Sequence, residues 1–102
     1  MTYVKLCKTD FVLEGDLKQV YAGETEVLVI KLNNKFFCLA ARCTHAGAPL
    51  AFGELTDDIL VCPWHGSHFK ITDGTVIKGP AEKPLKVYPY IIKEDYLFVE
   101  SV

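Results

Sequence analysis

The chain lacks both the long apolar runs and the charge excess that mark several classes of protein. Its longest apolar run covers residues 36–41, whereas a membrane-spanning helix needs about 20 such residues. The opening residues contain no apolar signal-peptide core either. The 11 basic and 13 acidic side chains give a net charge of -2, so no basic surplus attracts nucleic acid or anionic lipid. These absences predict a cytoplasmic protein with no membrane and no nucleic-acid partner.

The sequence also lacks any segment with a sustained helical period, and strand signals dominate it. A chain of 102 residues has room for one domain, so we predict a single all-β domain over residues 1–102. The two residues Asn33 and Asn34 are typical of a tight hairpin turn with positive φ angles. Strands are predicted at residues 3–8, 17–21, 27–32, 35–41, 59–61, 68–71, 76–77, 85–92 and 96–100, with turns at 22–25, 33–34, 53–58, 72–75 and 93–95.

Four cysteines are present, and two of them stand close to a histidine: Cys43 with His45 and Cys62 with His65. Without a secretion signal, such cysteines favour metal binding over disulfides. Each pair follows a predicted strand, on a loop held by a rigid base. The other two cysteines, at positions 7 and 38, stand in apolar strands and are predicted to be small buried hydrophobic residues.

Thiolates and imidazoles suit both zinc and iron, so residue types alone leave a structural zinc site open. Structural zinc sites typically combine like ligands in each pair, whereas each pair here is mixed. Mixed pairs suit a two-iron cluster with unequal irons, in which two histidines replace two cysteines on one iron. We expect the nearby His68 to be a strand histidine and not a fifth ligand.

The motifs Cys43-Thr44-His45-Ala46-Gly47 and Cys62-Pro63-Trp64-His65-Gly66-Ser67 resemble those of the Rieske family, and the resemblance extends over essentially the whole chain. It implies a Rieske-type 2Fe-2S cluster with Cys43 and Cys62 on the buried iron and His45 and His65 on the outer iron. It also implies antiparallel sheets that form a sandwich-like base, with a cluster-binding subdomain inserted at about residues 41–80. Gly79-Pro80 is similar to the family's proline loop.

The resemblance also gives expectations for the reduction potential. With two thiolates the oxidised cluster is formally neutral, so an added electron costs less than at a four-thiolate cluster. Rieske subunits of quinol-oxidising complexes carry a disulfide between the loops, but here those positions hold Ala48 and Trp64. Ser67 stands where such proteins donate a hydroxyl to a bridging sulfide, although it is also a common turn residue, and Phe69 replaces a tyrosine. We therefore expect a potential low in the Rieske range of roughly -150 to +300 mV.

The family resemblance predicts a soluble electron carrier and not an enzyme. Similar proteins receive electrons from a flavin-dependent NAD(P)H reductase and pass them to a multicomponent ring-hydroxylating oxygenase. Residues 43–66 contain three acids, Glu54, Asp57 and Asp58, and no lysine or arginine, which suits transient docking through a small interface. Two alternatives remain: an accessory redox subunit of a larger oxidoreductase, and a structural zinc-binding interaction module.

Overall fold

The computed structural model describes residues 2–100 and consists largely of β-strands. Ten strands follow in chain order, and the intervening segments include two short 3-10 turns at Thr9–Phe11 and Leu50–Phe52. No helix within residues 2–100 is long and apolar enough to cross a membrane. The all-β prediction is therefore confirmed. The strands are β1 (Tyr3–Lys8), β2 (Leu17–Ala22), β3 (Thr25–Leu32), β4 (Lys35–Ala40), β5 (Glu54–Thr56), β6 (Ile59–Val61), β7 (His68–Lys70), β8 (Val76–Lys78), β9 (Tyr90–Lys93) and β10 (Tyr96–Glu100).

The strands form three antiparallel sheets with the orders β1-β10-β9, β2-β3-β4 and β5-β6-β7-β8. The first two sheets make the base. The third sheet lies between β4 and β9 in the chain, as an insertion into that base. The expected fold, a base of antiparallel sheets with an inserted subdomain, is confirmed. Met1 and Val102, the predicted limits of the domain, lie outside the described residues.

The central strand β3 is buried on both faces and joins the base to the inserted part. Val27 and Val29 pack in a core shared with β10. Leu28 and Ile30 pack in a second core, which also contains the two cysteines of the predicted metal site. All four side chains are fully buried, and each contributes about 1.5–3 kcal/mol on burial. Successive side chains of β3 thus enter the two cores alternately, and the strand anchors the core beneath the metal-site loops to a rigid base.

The hairpin between β3 and β4 is confirmed at the predicted turn. Asn33 and Asn34 have φ angles of 54° and 62°, the left-handed values that asparagine tolerates better than most residues. The carboxylate of Glu14 accepts hydrogen bonds from both backbone N–H groups, at 2.7 and 3.3 Å. The turn is therefore stabilised both by the backbone preference of its own asparagines and by Glu14, which is distant in the sequence.

Two segment predictions were wrong in extent. Residues 53–58, predicted as a turn, contain strand β5, and only the two residues before β6 form the turn. Residues 85–92, predicted as one strand, form a regular strand only over β9. Pro89 interrupts the predicted strand because it lacks the backbone N–H that a β-sheet hydrogen bond requires. The preceding residues instead run beside β4 through isolated bonds, from Ala40 N–H to the Lys86 carbonyl and from Tyr88 N–H to the Cys38 carbonyl.

Candidate metal centre

The two predicted Cys/His pairs lie on loops of the same backbone form. We call residues 43–48 the first Cys/His loop and residues 62–67 the second Cys/His loop. In each loop, the cysteine N–H donates to the carbonyl five residues later, Ala48 at 2.9 Å and Ser67 at 2.8 Å. The fifth residue of each loop has a φ of 75°, where glycine is strongly favoured: Gly47 and Gly66. The shared spacing Cys-x-x-x-Gly was the sequence signal for this equivalence.

The structure brings the four predicted ligand residues together and separates them by depth. The side chains of Cys43 and Cys62 are each only 4% exposed and belong to the core beneath the loops. His45 and His65 are exposed, and their ring centroids lie 5.2 Å apart with the ring planes at 81°. The site therefore offers two sulfur donors inside and two nitrogen donors at the surface.

The thiol of Cys43 lies in a mixed electrostatic environment. Burial raises its pKa above the ordinary value, and the adjacent Cys62 thiol raises it further. The backbone N–H groups of His45 and Ala46 are directed at the sulfur and act in the opposite direction, because they stabilise negative charge on it. The same two groups are placed to stabilise a metal-bound thiolate.

The donor set fits a two-iron cluster. No group of three or more His, Cys, Asp and Glu side chains within residues 2–100 lies close enough together to hold a single metal ion. A Rieske [2Fe-2S] cluster instead takes two protein ligands on each iron, two thiolates on one and two imidazoles on the other. The buried thiol pair and the exposed imidazole pair match that requirement.

Ser67 ends the second Cys/His loop as a fully buried polar residue. Its Oγ accepts a hydrogen bond from the backbone N–H of Ala81 at 3.0 Å. A hydroxyl has one donor proton in addition to its acceptor positions, so the Ser67 O–H remains able to donate. The bond from this hydroxyl to a cluster sulfide stays a prediction. The bond to Ala81 is a structural role of Ser67 that the sequence did not predict.

The segment containing Gly79-Pro80 lies against the first Cys/His loop. A cavity of about 400 Å³ is bordered by Thr44, His45, Pro80, Glu82 and Lys83. The Thr44 Oγ1 donates to the Lys83 carbonyl at 2.6 Å, which ties the segment to the loop. Pro80 and His45 thus border the same cavity, and the segment's role as a proline loop that covers the cluster stays a prediction.

The remaining residues that the sequence singled out are placed as follows. Ala48 is fully buried, and Trp64 is 56% exposed. Cys38 is buried in the core of the base, as predicted, whereas Cys7 is only partly buried and packs against that core. His68 lies in β7, where it pairs with β6 and β8.

Sequence reasoning missed an ion pair at the edge of the site. The guanidinium of Arg42 bonds both carboxylate oxygens of Glu26 and also the Gly47 carbonyl. The only signal was an arginine directly before Cys43. The fold alone brings Glu26 to it, because the two residues lie 16 positions apart with no local pattern.

The chain is similar to several characterised proteins. It is 34% identical over 94 residues to the biphenyl dioxygenase ferredoxin subunit of Pseudomonas sp. (strain KKS102), covering 91% of this chain and 86% of that protein. It is 31% identical over 96 residues to human apoptosis-inducing factor 3, covering 94% of this chain. The chain spans only 16% of the length of that relative.

Two solved structures share the fold over nearly all of the chain. The ferredoxin of Sphingomonas yanoikuyae B1 matches with a TM-score of 0.92 and 27% identity, covering 99% of this chain and all of that one. A complex of reduced oxygenase and oxidised ferredoxin in carbazole 1,9a-dioxygenase matches with a TM-score of 0.86 and 28% identity, covering 95% and 91% of the two chains. The family model for the Rieske [2Fe-2S] domain matches residues 2–89. Together with two buried thiols beneath two paired imidazoles, this match shows that the chain belongs to the Rieske [2Fe-2S] domain family.

Proposed function

We propose that this chain is a one-electron carrier, with Cys43 and Cys62 on the inner iron of its cluster and His45 and His65 on the outer iron. The observation that supports this most strongly is the pair of exposed imidazoles, 5.2 Å apart, above two buried thiols. A cluster bound in this way supplies reversible one-electron oxidation and reduction. Because the imidazoles are exposed, a docked partner can come into direct contact with them.

The protein surrounds the inner side of the site with apolar side chains. Leu50, Leu60 and Phe69 are fully buried in the same core as the two cysteines. An apolar, poorly polarisable environment disfavours added negative charge. The phenyl ring of Phe69 has no hydroxyl to offset this, which supports the expectation of a potential low in the Rieske range.

An apolar surface is formed by Phe52 together with two residues of the second Cys/His loop, and we call Phe52, Pro63 and Trp64 the tip surface. Phe52 is 80% exposed and Trp64 is 56% exposed, and a cavity of about 330 Å³ runs between Phe52 and Pro63. The acids Glu54 and Asp57 are exposed nearby in the sequence. Apolar contact with an acidic surround suits a small, short-lived interface with a partner whose own rim is basic.

The names of the related proteins support specific partners. A ferredoxin subunit of a biphenyl dioxygenase is a close sequence match, and a related ferredoxin occurs in complex with the oxygenase of carbazole 1,9a-dioxygenase. We therefore propose an oxygenase as the electron acceptor of this chain. A flavin-dependent NAD(P)H reductase is the proposed donor, since a carrier of this kind needs a source of single electrons.

In this role the chain transfers electrons and is not itself an enzyme. We propose that residues 1–102 act as one Rieske domain, with the cluster-binding part at about residues 41–80. The insertion of β5 to β8 as a separate sheet supports this division. The cytoplasmic location expected from the sequence stays a prediction.

One observation favours a second candidate, an accessory redox unit of a larger oxidoreductase. Human apoptosis-inducing factor 3 contains a matching segment that covers only 16% of its length. A unit of this size can therefore occur as a small part of a much larger protein. Isolation of this chain as a stable complex of fixed stoichiometry would favour this candidate over a free carrier.

The carrier function is tested by reducing the protein with dithionite under anaerobic conditions and reoxidising it with cytochrome c, a basic one-electron acceptor. We expect one electron per chain in each direction. The visible absorption of the oxidised protein should return in full after each of several cycles. Uptake of two electrons, or a reduced state that cannot be reoxidised, would contradict the proposal.

A pair of charge variants tests the docking surface in the same assay. Glu54→Gln removes an acid that borders the cavity between Phe52 and Pro63. Asp10→Asn removes the same charge from the 3-10 turn of the base. We expect Glu54→Gln to slow reoxidation at low salt more than Asp10→Asn does, because charges near the docking surface steer association. Equal effects would argue against docking at this end of the molecule.

A further inference from the structure

Arg42 stands directly before the first Cys/His loop and is the only arginine in the chain. Its Nε donates to Oε1 of Glu26 at 3.0 Å, and its Nη2 donates to Oε2 of the same carboxylate at 3.1 Å. Its Nη1 donates to the carbonyl of Gly47 at 3.1 Å. One guanidinium therefore links the base of the fold to the turn of the loop.

The carboxylate that holds Arg42 is itself firmly placed. Glu26 belongs to β3, next to the fully buried Val27, and its Oε2 also accepts a hydrogen bond from the Gln19 amide on β2. The Glu26 side chain is 25% exposed and that of Arg42 is 51% exposed. Because a bidentate pair is directional, Glu26 fixes the orientation of the guanidinium and hence of its third bond.

The second Cys/His loop has a different residue at the corresponding position. Val61 precedes Cys62 as Arg42 precedes Cys43, and a valine side chain has no donor to offer to the Gly66 carbonyl. The two loops also differ in the position of the histidine, which is the third residue in the first loop and the fourth in the second. The side-chain restraint therefore belongs to the loop that carries His45.

We propose that Arg42, oriented by Glu26, is a positioning residue that holds the first Cys/His loop in the conformation required by its cluster ligands. This inference rests on the ligand assignment proposed above. The fixed positive charge lies one residue from Cys43, so it also favours the reduced and more negative state of the site. Glu26 offsets part of that charge. The pair thus has two separable effects, one on loop geometry and one on reduction potential.

Three variants separate the two effects. Arg42→Lys keeps the positive charge but loses the planar fork that bonds Glu26 and Gly47 together. Arg42→Ala loses both the charge and the bonds. Glu26→Gln keeps the shape of the side chain and removes the negative charge. Lys35→Ala is the control, because it removes one positive charge at the other end of β4, about 20 Å along the strand from Arg42.

Loop geometry is measured by hydrogen–deuterium exchange of the peptide 42–50 and by the rate at which a chelator removes the visible absorption. For Arg42→Lys and Arg42→Ala we expect exchange at least roughly tenfold faster than in the unmutated protein, as loss of one charge-assisted hydrogen bond predicts. Loss of the absorption should accelerate likewise, and Lys35→Ala should change neither rate. Unchanged exchange in both arginine variants would overturn the positioning role.

The charge effect is measured as the midpoint potential. We expect Arg42→Ala to lower it, Glu26→Gln to raise it, and Arg42→Lys to leave it close to that of the unmutated protein. A potential in Arg42→Ala no lower than in Lys35→Ala would overturn the charge effect. If the unmutated protein contained no cluster, the proposed function would fail, whereas the exchange comparison would still decide whether Arg42 holds the loop.

Discussion

Replacing Ser67 by alanine tests the role of the one buried polar side chain that the structure describes at the site. Ser67 is fully buried, and its Oγ is the acceptor for the N–H of Ala81, a residue that is only 3% exposed. Without the hydroxyl this N–H is left buried and unpaired, which costs about 1–3 kcal/mol. For a domain of this size, 1 kcal/mol corresponds to roughly 4–8 °C in Tm. We therefore expect Ser67→Ala to melt about 4–24 °C lower in differential scanning calorimetry.

The same variant tests the predicted bond from the Ser67 hydroxyl to a cluster sulfide. If that bond is about 1 kcal/mol stronger in the reduced state, its loss lowers the potential by roughly 40 mV for a one-electron couple. Thr44→Val is the matched control. It also removes a loop hydroxyl, but Thr44 is exposed, so water can satisfy the Lys83 carbonyl that it bonds. An unchanged Tm and an unchanged potential in Ser67→Ala would refute the reasoning.

Three further predictions concern backbone geometry and pH. Gly74→Ala should lower Tm far more than Gly23→Ala, because both glycines have positive φ but only a Cβ at position 74 meets a backbone carbonyl of the segment after β8; equal shifts in calorimetry would contradict this. Burial raises the pKa of the Cys38 thiol to about 12 from an ordinary value of 9.0, so its contribution to stability is complete below pH 9 and is lost as pH rises towards 12. Denaturant titrations above pH 9 should show that decline, and Cys38→Ala should show less of it. The hydrogen bond from Arg42 lowers the pKa of the Glu26 carboxyl below 4.5, so its contribution is present above that pH and is lost as pH falls below it. Thermal denaturation should show this loss in the unmutated protein, and Glu26→Gln should remove that part of the pH dependence.

Much of the fold follows from local sequence. The β-branched run of β3 and the Asn33-Asn34 turn predicted a hairpin that the structure contains at the expected position. Strand β5 was missed because it contains a single apolar residue, Leu55, between the turn-forming residues Gly53 and Asp57. The strand predicted over residues 85–92 was too long, because the apolar pattern continues through a proline-containing segment that bonds β4 irregularly.

The candidate site likewise has features that the local sequence predicts and features that it does not. The Cys/His spacing predicted which four residues meet, since the motif itself fixes each loop. The bond from Ser67 to Ala81 and the ion pair from Arg42 to Glu26 join residues 14 and 16 positions apart. These hydrogen-bond partners meet only when the chain folds and its sheets pack against each other. A local pattern in the sequence does not predict that packing.

The central claim, that Cys43, His45, Cys62 and His65 hold a [2Fe-2S] cluster, is tested most directly by metal and sulfide analysis of the aerobically purified protein. Electron paramagnetic resonance after dithionite reduction belongs to the same measurement. We predict two irons and two acid-labile sulfides per chain and a signal whose average g value is lower than that of a [2Fe-2S] cluster with four thiolate ligands, because two imidazoles replace two thiolates on one iron. A colourless protein that contains zinc and no sulfide, and that gives no signal on reduction, would contradict the claim.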